Sequence, residues 1–436
     1  MAASFPRLLH DDDFPFRIVS HLIPVHSFRE YPEAIIDDSK DVYLAVKQYI
    51  PLLNQHHDRN GSDPMTIIAA AGVGFLKETY EPLFEDVLRK ASLAGLNIRS
   101  IWIADQFNVG ESALANQKNL GHDGSTVDHS RDLWGMVNHF RHDMPKPIIG
   151  LAHSMGCSQM LLLSSWHPTL FHSFAFTEPG IDPKYGDMAL ATWVSRVLQQ
   201  EDFWDTKEEA EKVLVKSQVA QKWPAKSLAR LKHYGVYQVK TNPTPKWALT
   251  TPKDQIACVV LRHIPNSIQV SCDDLADLTA SQREMVPDLD PKIALRGSFY
   301  RSEFQHSWDL LPKMRPSVLY INGDSSPHFG DPSTRDRRAE ITGTGVGGNG
   351  GMKLRAVQQV VIKGAGHNMP FDDHFTQVSS HVAHWLAKES QRWADGPGQR
   401  LRDWRAKEFG NQQRVSQDYT DSLPGEITTR KIMANL

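Results

Sequence analysis

Cysteine is scarce in this sequence: Cys157, Cys258 and Cys272 are the only three among 436 residues. Three cysteines cannot all pair, so a disulfide framework is excluded, and none stands at metal-ligand spacing. That usage fits a reducing compartment. Long hydrophobic runs are missing too. The longest, around residues 65–75, is too short to span a bilayer. The first thirty residues carry Asp11, Asp12 and Asp13 and no continuous apolar stretch, which argues against a secretory leader. Nor is there an excess of one charge: 48 basic against 51 acidic side chains leave a formal net charge of −3. Neither nucleic acid nor an anionic membrane surface is implied as a partner. No internal repeat is visible. What remains is the composition of a soluble globular protein, long enough for one large catalytic domain with an insertion or for two ordinary domains.

Short apolar, β-branched runs alternate with longer amphipathic stretches, the pattern of a mostly parallel sheet with helices on both faces. The runs predict strands at 16–25, 65–71, 98–104, 147–152, 172–177, 317–322 and 358–363. Several are apolar throughout, as expected where both faces of a sheet are covered. This is an α/β architecture. The rhythm breaks after Pro179. Residues 183–312 read as helices rich in Trp, Lys and Glu, so long an insertion that a helical cap over the site is the expectation. The predicted organisation is a core of 1–182 and 313–387, the cap, and a helical C-terminal extension over 388–436. Residues 341–351 contain TGTGVGGNGG. Without a strand before it and a helix after it, this reads as a mobile glycine-rich loop, not a nucleotide site.

One motif carries the chemistry. Residues 147–157 read PIIGLAHSMGC: an apolar strand, a tight turn around Ser154, then a helical pattern from Ser158. That is the setting of a nucleophile elbow, whose strained turn needs small residues two before and two after the serine. Ala152 and Gly156 meet the need, alanine being a mild departure from G-x-S-x-G. The alternative, a serine that only caps a helix, leaves the paired small residues unexplained. The elbow aims the hydroxyl away from the sheet and the Met155 amide toward a developing oxyanion, with the helix dipole behind it. A serine here also excludes the aspartate nucleophile of epoxide hydrolases and dehalogenases. His153 reads as a packing residue of the elbow.

A serine hydroxyl needs a base. QQVVIKGAGHNMP (358–370) supplies His367 after a late apolar strand and a flexible turn. His306 and His328 have no such setting. A second oxyanion donor is expected from the loop that follows the third strand of such a sheet; in AAAGVGF (69–75) the Phe75 amide is the candidate. The acid has two candidates. YINGDSSP (320–327) offers Asp324, although the usual place, about three residues past the glycine, holds Ser326. AFTEPGI (175–181) offers Glu178 at the end of the preceding strand, where a carboxylate points into the ligand crevice. Glu178 is preferred, with Asp324 kept as the alternative acid.

At these residues the chain resembles the fungal α/β-hydrolases of host-selective toxin biosynthesis, the AK-toxin type, and more distantly the yeast peroxisomal lipase. The resemblance runs through GFLKETYEPLFEDVL (74–88), IWIADQFNVGESALAN (101–116), DHSRDLWGMVNHFR (128–141), HPTLFHSFAFTEPGI (167–181), GTGVGGNGG (343–351) and GAGHNMPFD (364–372). It implies a capped α/β-hydrolase fold, with Ser154 as nucleophile, His367 as base and Glu178 in the family's E-P pair. One departure stands out: Ala71-Gly72-Val73-Gly74-Phe75 replaces an H-A-N-G-F pattern, which removes two polar side chains near the oxyanion. The expected function is hydrolysis of an ester or thioester of a hydrophobic acyl or polyketide-like substrate, through an acyl-enzyme, in fungal secondary metabolism. Trp193, Trp204 and Trp223 in the cap suit such a substrate, or equally form the core of the cap itself. Acyl transfer or cyclisation on the same triad, and a non-catalytic member that binds a hydrophobic ligand, are the alternatives. The chemistry calls for no metal and no organic cofactor. Many such proteins end in a peroxisomal address, and Ala434-Asn435-Leu436 is a degenerate S-K-L. An import receptor is therefore an expected partner, and the peroxisome, failing that the cytoplasm, the expected location.

Overall fold

The computed structural model describes residues 13–52, 63–183, 188–216, 220–241, 243–265, 268, 279–289, 298–326 and 331–423. Cys272, His328 and the terminal tripeptide lie outside the described residues. The chain divides into two compact units, Met1–Ser390 and Gln391–Leu436. The second holds the end of a helix begun in the first, then helices at Pro397–Ala406, Phe409–Gln412 and Gln417–Asp421.

The first unit is built on eight strands: β1 (Phe16–Val25), β2 (Val42–Pro51), β3 (Met65–Ala70), β4 (Ile98–Ala104), β5 (Ile148–His153), β6 (Ser173–Thr177), β7 (Ser317–Gly323) and β8 (Val357–Ile362). They lie in the order 1-2-4-3-5-6-7-8, with β1–β2 and β2–β4 antiparallel and every later pairing parallel. Helices α1 (Glu81–Leu93), α2 (Gly110–Asn116), α3 (Thr126–His139) and α4 (Met155–Trp166) alternate with the strands. This is the α/β-hydrolase fold expected from the sequence.

Why the strands read as solid apolar runs is visible in the core. Alternate side chains of β3 go to opposite faces: Ile67 and Ala69 join Phe84, Val87 and Trp385, while Ile68 and Ala70 join Leu133, Met160 and Phe174. Both faces are covered, so neither side of the strand can be polar. β2 was not among the predicted strands. Its sequence, VYLAVKQYIP, carries a lysine at the centre, yet Lys47 is fully buried and its Nζ lies 3.0 Å from Glu78. A buried ion pair, which no strand pattern anticipates, lets a charged residue occupy an interior position.

Between β6 and β7 the chain forms helices α5 (Met188–Leu198), α6 (Lys207–Val215), α7 (Ala225–Gly235), α8 (Lys253–Val260), α9 (Ala280–Met285) and α10 (Ser302–Leu310). Two small antiparallel ribbons, Val236–Val239 with Lys246–Leu249 and Arg262–His263 with Phe299–Tyr300, also lie there, where no strands were predicted. After β7 come α11 (Pro332–Ile341) and, following β8, α12 (Phe375–Asp395). The glycine-rich loop after α11 is held more closely than a mobile loop. Gly343, Gly345 and Asn349 donate their amides to the carbonyls of Leu311, Pro312 and Met314 at 2.8–2.9 Å, and Gly350 donates to Gly343. Helix α11 precedes it, and the short turn Met352–Leu354 leads from it toward β8.

Candidate active site

β5 runs directly into α4, and Ser154 is the residue on which the chain turns. Its backbone sits at φ 55°, ψ −124°, a conformation few non-glycine residues adopt. The turn is held from both sides: Ser154 donates its amide to Thr177 O at 3.0 Å, and Gly180 donates to Ser154 O at 2.8 Å. The small neighbours are sterically required. A Cβ on Gly156 would stand 2.5 Å from the carbonyl oxygen of Ala70, and one on Gly180 would lie 3.1 Å from the Met155 nitrogen.

β6 lies beside β5, pairing Ala152 with Phe176 and His153 with Thr177, so the residues after each strand emerge together. Glu178 is the residue after β6, and it too has positive φ, at 48°. It is fully buried. Its Oε1 accepts the Gly323 amide at 2.6 Å, and Ser326 adds a hydrogen bond. Burial pushes its pKa up; the hydrogen bonds from His367, Ser326 and Gly323, with the nearby imidazole, outweigh that and bring it below the ordinary value. The carboxylate therefore stays ionised at neutral pH. Arg338 of α11, also buried, donates to Pro179 O, Ile181 O and Asn322 Oδ1 at 2.7–3.4 Å and so pins the chain that follows Glu178. Nothing in the sequence pointed to Arg338.

His367 comes from the turn after β8. Its Nε2 lies 3.0 Å from Ser154 Oγ and its Nδ1 3.4 Å from Glu178 Oε2. The structure thus brings Ser154, His367 and Glu178 together. Asp324 is elsewhere in use: exposed, it accepts the Gly364 amide at 2.7 Å and the Ser325 hydroxyl at 3.0 Å, tying the segment after β7 to the segment after β8. Ser326, at the usual place of the acid, hydrogen-bonds Glu178. His306 is exposed on α10.

The oxyanion side weighs against one expectation. The Met155 amide, at the first turn of α4, has no acceptor among the described residues. The Phe75 amide does: it donates to Gly72 O at 3.2 Å, closing a turn. An amide so engaged is a poor oxyanion donor. Val73 stands two residues earlier in the same turn, and its amide has no acceptor among the described residues. The loop lies directly on Ser154, since a Cβ on Gly72 would be 3.0 Å from Ser154 Cβ. Residues between β6 and β7 cover this loop. Ile256 of α8 comes within 3.8 Å of a Cβ built on Gly74, and Val259 packs with Val73, Met155 and Phe304. Trp223 packs on Phe371 and Phe75, with ring centroids 4.8 and 6.3 Å away. Trp193 is 40% exposed, and Trp204 pairs its backbone with Trp247.

No family model matches the chain. Individual relatives do. The type I acyl-CoA thioesterase mpaH of Penicillium roqueforti is 31% identical over 412 residues, 89% of this chain and 90% of that protein. The chain belongs to the mpaH family. A second member, mpaH of Penicillium brevicompactum, is 30% identical over 95% of this chain and 97% of its own length. The abhydrolase domain-containing protein AKT2 of Alternaria alternata is 24% identical over 60% of this chain and 91% of its own. Among solved structures, the peroxisomal α/β-hydrolase Lpx1 of Saccharomyces cerevisiae superposes with a TM-score of 0.62 at 15% identity, covering 92% of this chain and 99% of that one. Like its family, the protein is an enzyme of the α/β-hydrolase class. No helix among the described residues is long and apolar enough to cross a membrane.

Proposed function

We propose that the protein is a serine thioesterase that hydrolyses the coenzyme A thioester of a hydrophobic, polyketide-like acid in fungal secondary metabolism. The 3.0 Å approach of His367 Nε2 to Ser154 Oγ carries the reading. The acyl-CoA part rests on the relatives that bear that name and cover nine-tenths of the chain.

In this mechanism Ser154 Oγ attacks the thioester carbonyl while His367 Nε2 takes its proton. Glu178, ionised and buried, holds the ring and stabilises the imidazolium. The oxyanion is met by the amides of Met155 and Val73 at the positive end of α4. Collapse breaks the C–S bond, and the thiolate leaves with the proton from His367. Water then gives His367 a proton, attacks the acyl-enzyme and releases the acid, and Ser154 Oγ regains its proton. Residues 183–312, as a cap, would shield these steps, with Ile256, Val259 and Trp223 on the acyl side. The terminal Ala434-Asn435-Leu436 would direct the enzyme to the peroxisome through an import receptor. A fluorescent tag at the amino end should then give punctate fluorescence that a tag at the carboxyl end abolishes.

The test of the chemistry is fluorophosphonate labelling with acyl-CoA turnover. Wild type should label and hydrolyse, and Ser154→Ala should do neither. A folded wild type that resists the probe and binds acyl-CoA without turnover would be a ligand-binding protein instead.

A further inference from the structure

His153, the residue before the nucleophile, reads from sequence as elbow packing. Its surroundings give it more to do. We propose that Tyr80 and His153 are positioning residues, linking the oxyanion loop at Gly72 to the main chain of the base through one directed chain of hydrogen bonds. The inference rests on Ser154 and His367 carrying the chemistry.

The direction of each bond follows from donor and acceptor chemistry. The Gly72 amide can only donate, and it does so to Tyr80 Oη at 2.9 Å. The carbonyl of His367 can only accept, and His153 Nε2 lies 2.8 Å from it. His153 therefore carries its hydrogen on Nε2. Full burial holds the ring neutral, its pKa driven well down by desolvation and by the neighbouring His367. Its Nδ1 is then an acceptor, and it meets the Tyr80 hydroxyl at 2.9 Å. The chain reads Gly72 N–H to Tyr80 O–H to His153 to His367 C=O, with every polar atom of the two side chains in use.

Packing fixes the same geometry. Phe371 stands edge-on to both rings, 4.7 Å from Tyr80 and 5.4 Å from His153. A Cβ on Gly72 would lie 3.0 Å from His153 Nδ1, so the loop rests against the ring itself. The base has reason to need the anchor. It follows a Gly-Ala-Gly turn in which Gly364 has φ 76°. Its bond to Glu178, at 3.4 Å, is long for a charge-assisted contact. The bond from His153 to its own carbonyl restrains the backbone from which the imidazole projects. One ring thereby sets the base and the oxyanion loop against each other across the nucleophile.

The test compares Tyr80→Phe, His153→Phe, the double variant and His153→Gln with wild type, each checked for a wild-type urea midpoint. His153→Gln can still donate to the His367 carbonyl and accept from Tyr80. Loss of the chain should lower kcat and the fluorophosphonate labelling rate by roughly ten- to a hundredfold, with KM held within about twofold. The double variant should fall no further than the worse single one, because either break opens the same chain. His153→Gln should recover most of the rate. In wild type, ¹⁵N-histidine NMR should show one ring fixed as the neutral Nε2–H tautomer while ordinary histidines titrate. Tyr80→Phe labelling at the wild-type rate would overturn the proposal, and so would single losses that multiply in the double variant. If His153→Phe does not fold, Tyr80→Phe and His153→Gln decide alone. Wild type that fails to label would instead strike the assignment of Ser154 and His367.

Discussion

Two residues hold a backbone conformation that costs each of them about 1–3 kcal/mol, and both face the same imidazole. Ser154 and Glu178 lie at positive φ because each is the turn residue after one of two paired strands, and the turn aims each side chain out of the sheet. Ser154→Gly should therefore abolish labelling and yet raise stability by about 1 kcal/mol, read as a higher urea midpoint. A variant no more stable than wild type would show that the turn is not strained. For the acid, Glu178→Gln should cut kcat by about 10³- to 10⁴-fold, whereas Asp324→Asn should stay within about twofold in acyl-CoA turnover. The pKa of Glu178 lies below its ordinary value in the folded protein, so the stability it contributes is present above the unfolded carboxylate pKa and lost as pH falls through the folded one. The turns that bring Ser154 and His367 together were legible because elbow and strand–turn settings are local patterns. The choice between Glu178 and Asp324 was only half legible. Both follow a strand, and what separates them is a contact distant in sequence: Asp324 is taken up by the Gly364 amide beyond β8, while Glu178 faces His367. The engagement of the Phe75 amide was illegible for a similar reason: which amide of a five-residue turn stays free depends on its internal hydrogen bonding.

Among the elements, the sheet was readable wherever strands are apolar on both faces and was missed at β2, whose central lysine is buried. That lysine belongs to a network the sequence does not announce. Lys47 faces Glu78 and Glu81, Lys77 contacts Asp105 at 2.6 Å and Glu111 at 2.7 Å, and Arg230 of α7 pairs with Glu81 of α1. Glu81 is buried, and desolvation raises its pKa even with two cations beside it. Arg230 is thus the strut by which α7 stands on the core. Arg230→Ala should destabilise by about 3–5 kcal/mol, since it strands a buried carboxylate. The double change Arg230→Met with Glu81→Met should recover much of the loss. Urea unfolding of the three proteins checks this, and an Arg230→Ala midpoint equal to wild type would mean that the pair holds nothing.

At the scale of the whole molecule, buried histidines set how it meets acid. His129 in α3 is fully enclosed, neither ring nitrogen has a partner among the described residues, and desolvation takes its pKa down to about 4. The unfolded chain takes up that proton near pH 6.5, so the contribution to stability falls as pH drops from about 6.5 to about 4, by about 3 kcal/mol. Asp128 beside it works the other way: burial raises its pKa to about 6, and its share is lost as pH rises through that value. Wild type alone would blur the two. The stability difference between wild type and His129→Phe, followed by urea titration, should shift by about 3 kcal/mol over that range, and a constant difference would refute it. The position of Glu178 directly after β6 has a further consequence for the chain as a whole. In the proposed mechanism the nucleophile, the acid and both oxyanion amides are encoded before residue 183, and the base alone is encoded after residue 312. A break anywhere in the intervening segment would leave one fragment able to hold an acyl group but unable to start the reaction, and another whose imidazole has nothing to deprotonate. On that mechanism catalysis would begin only when β7 and β8 have docked beside β6, so the last two strands of the sheet would act as its ignition.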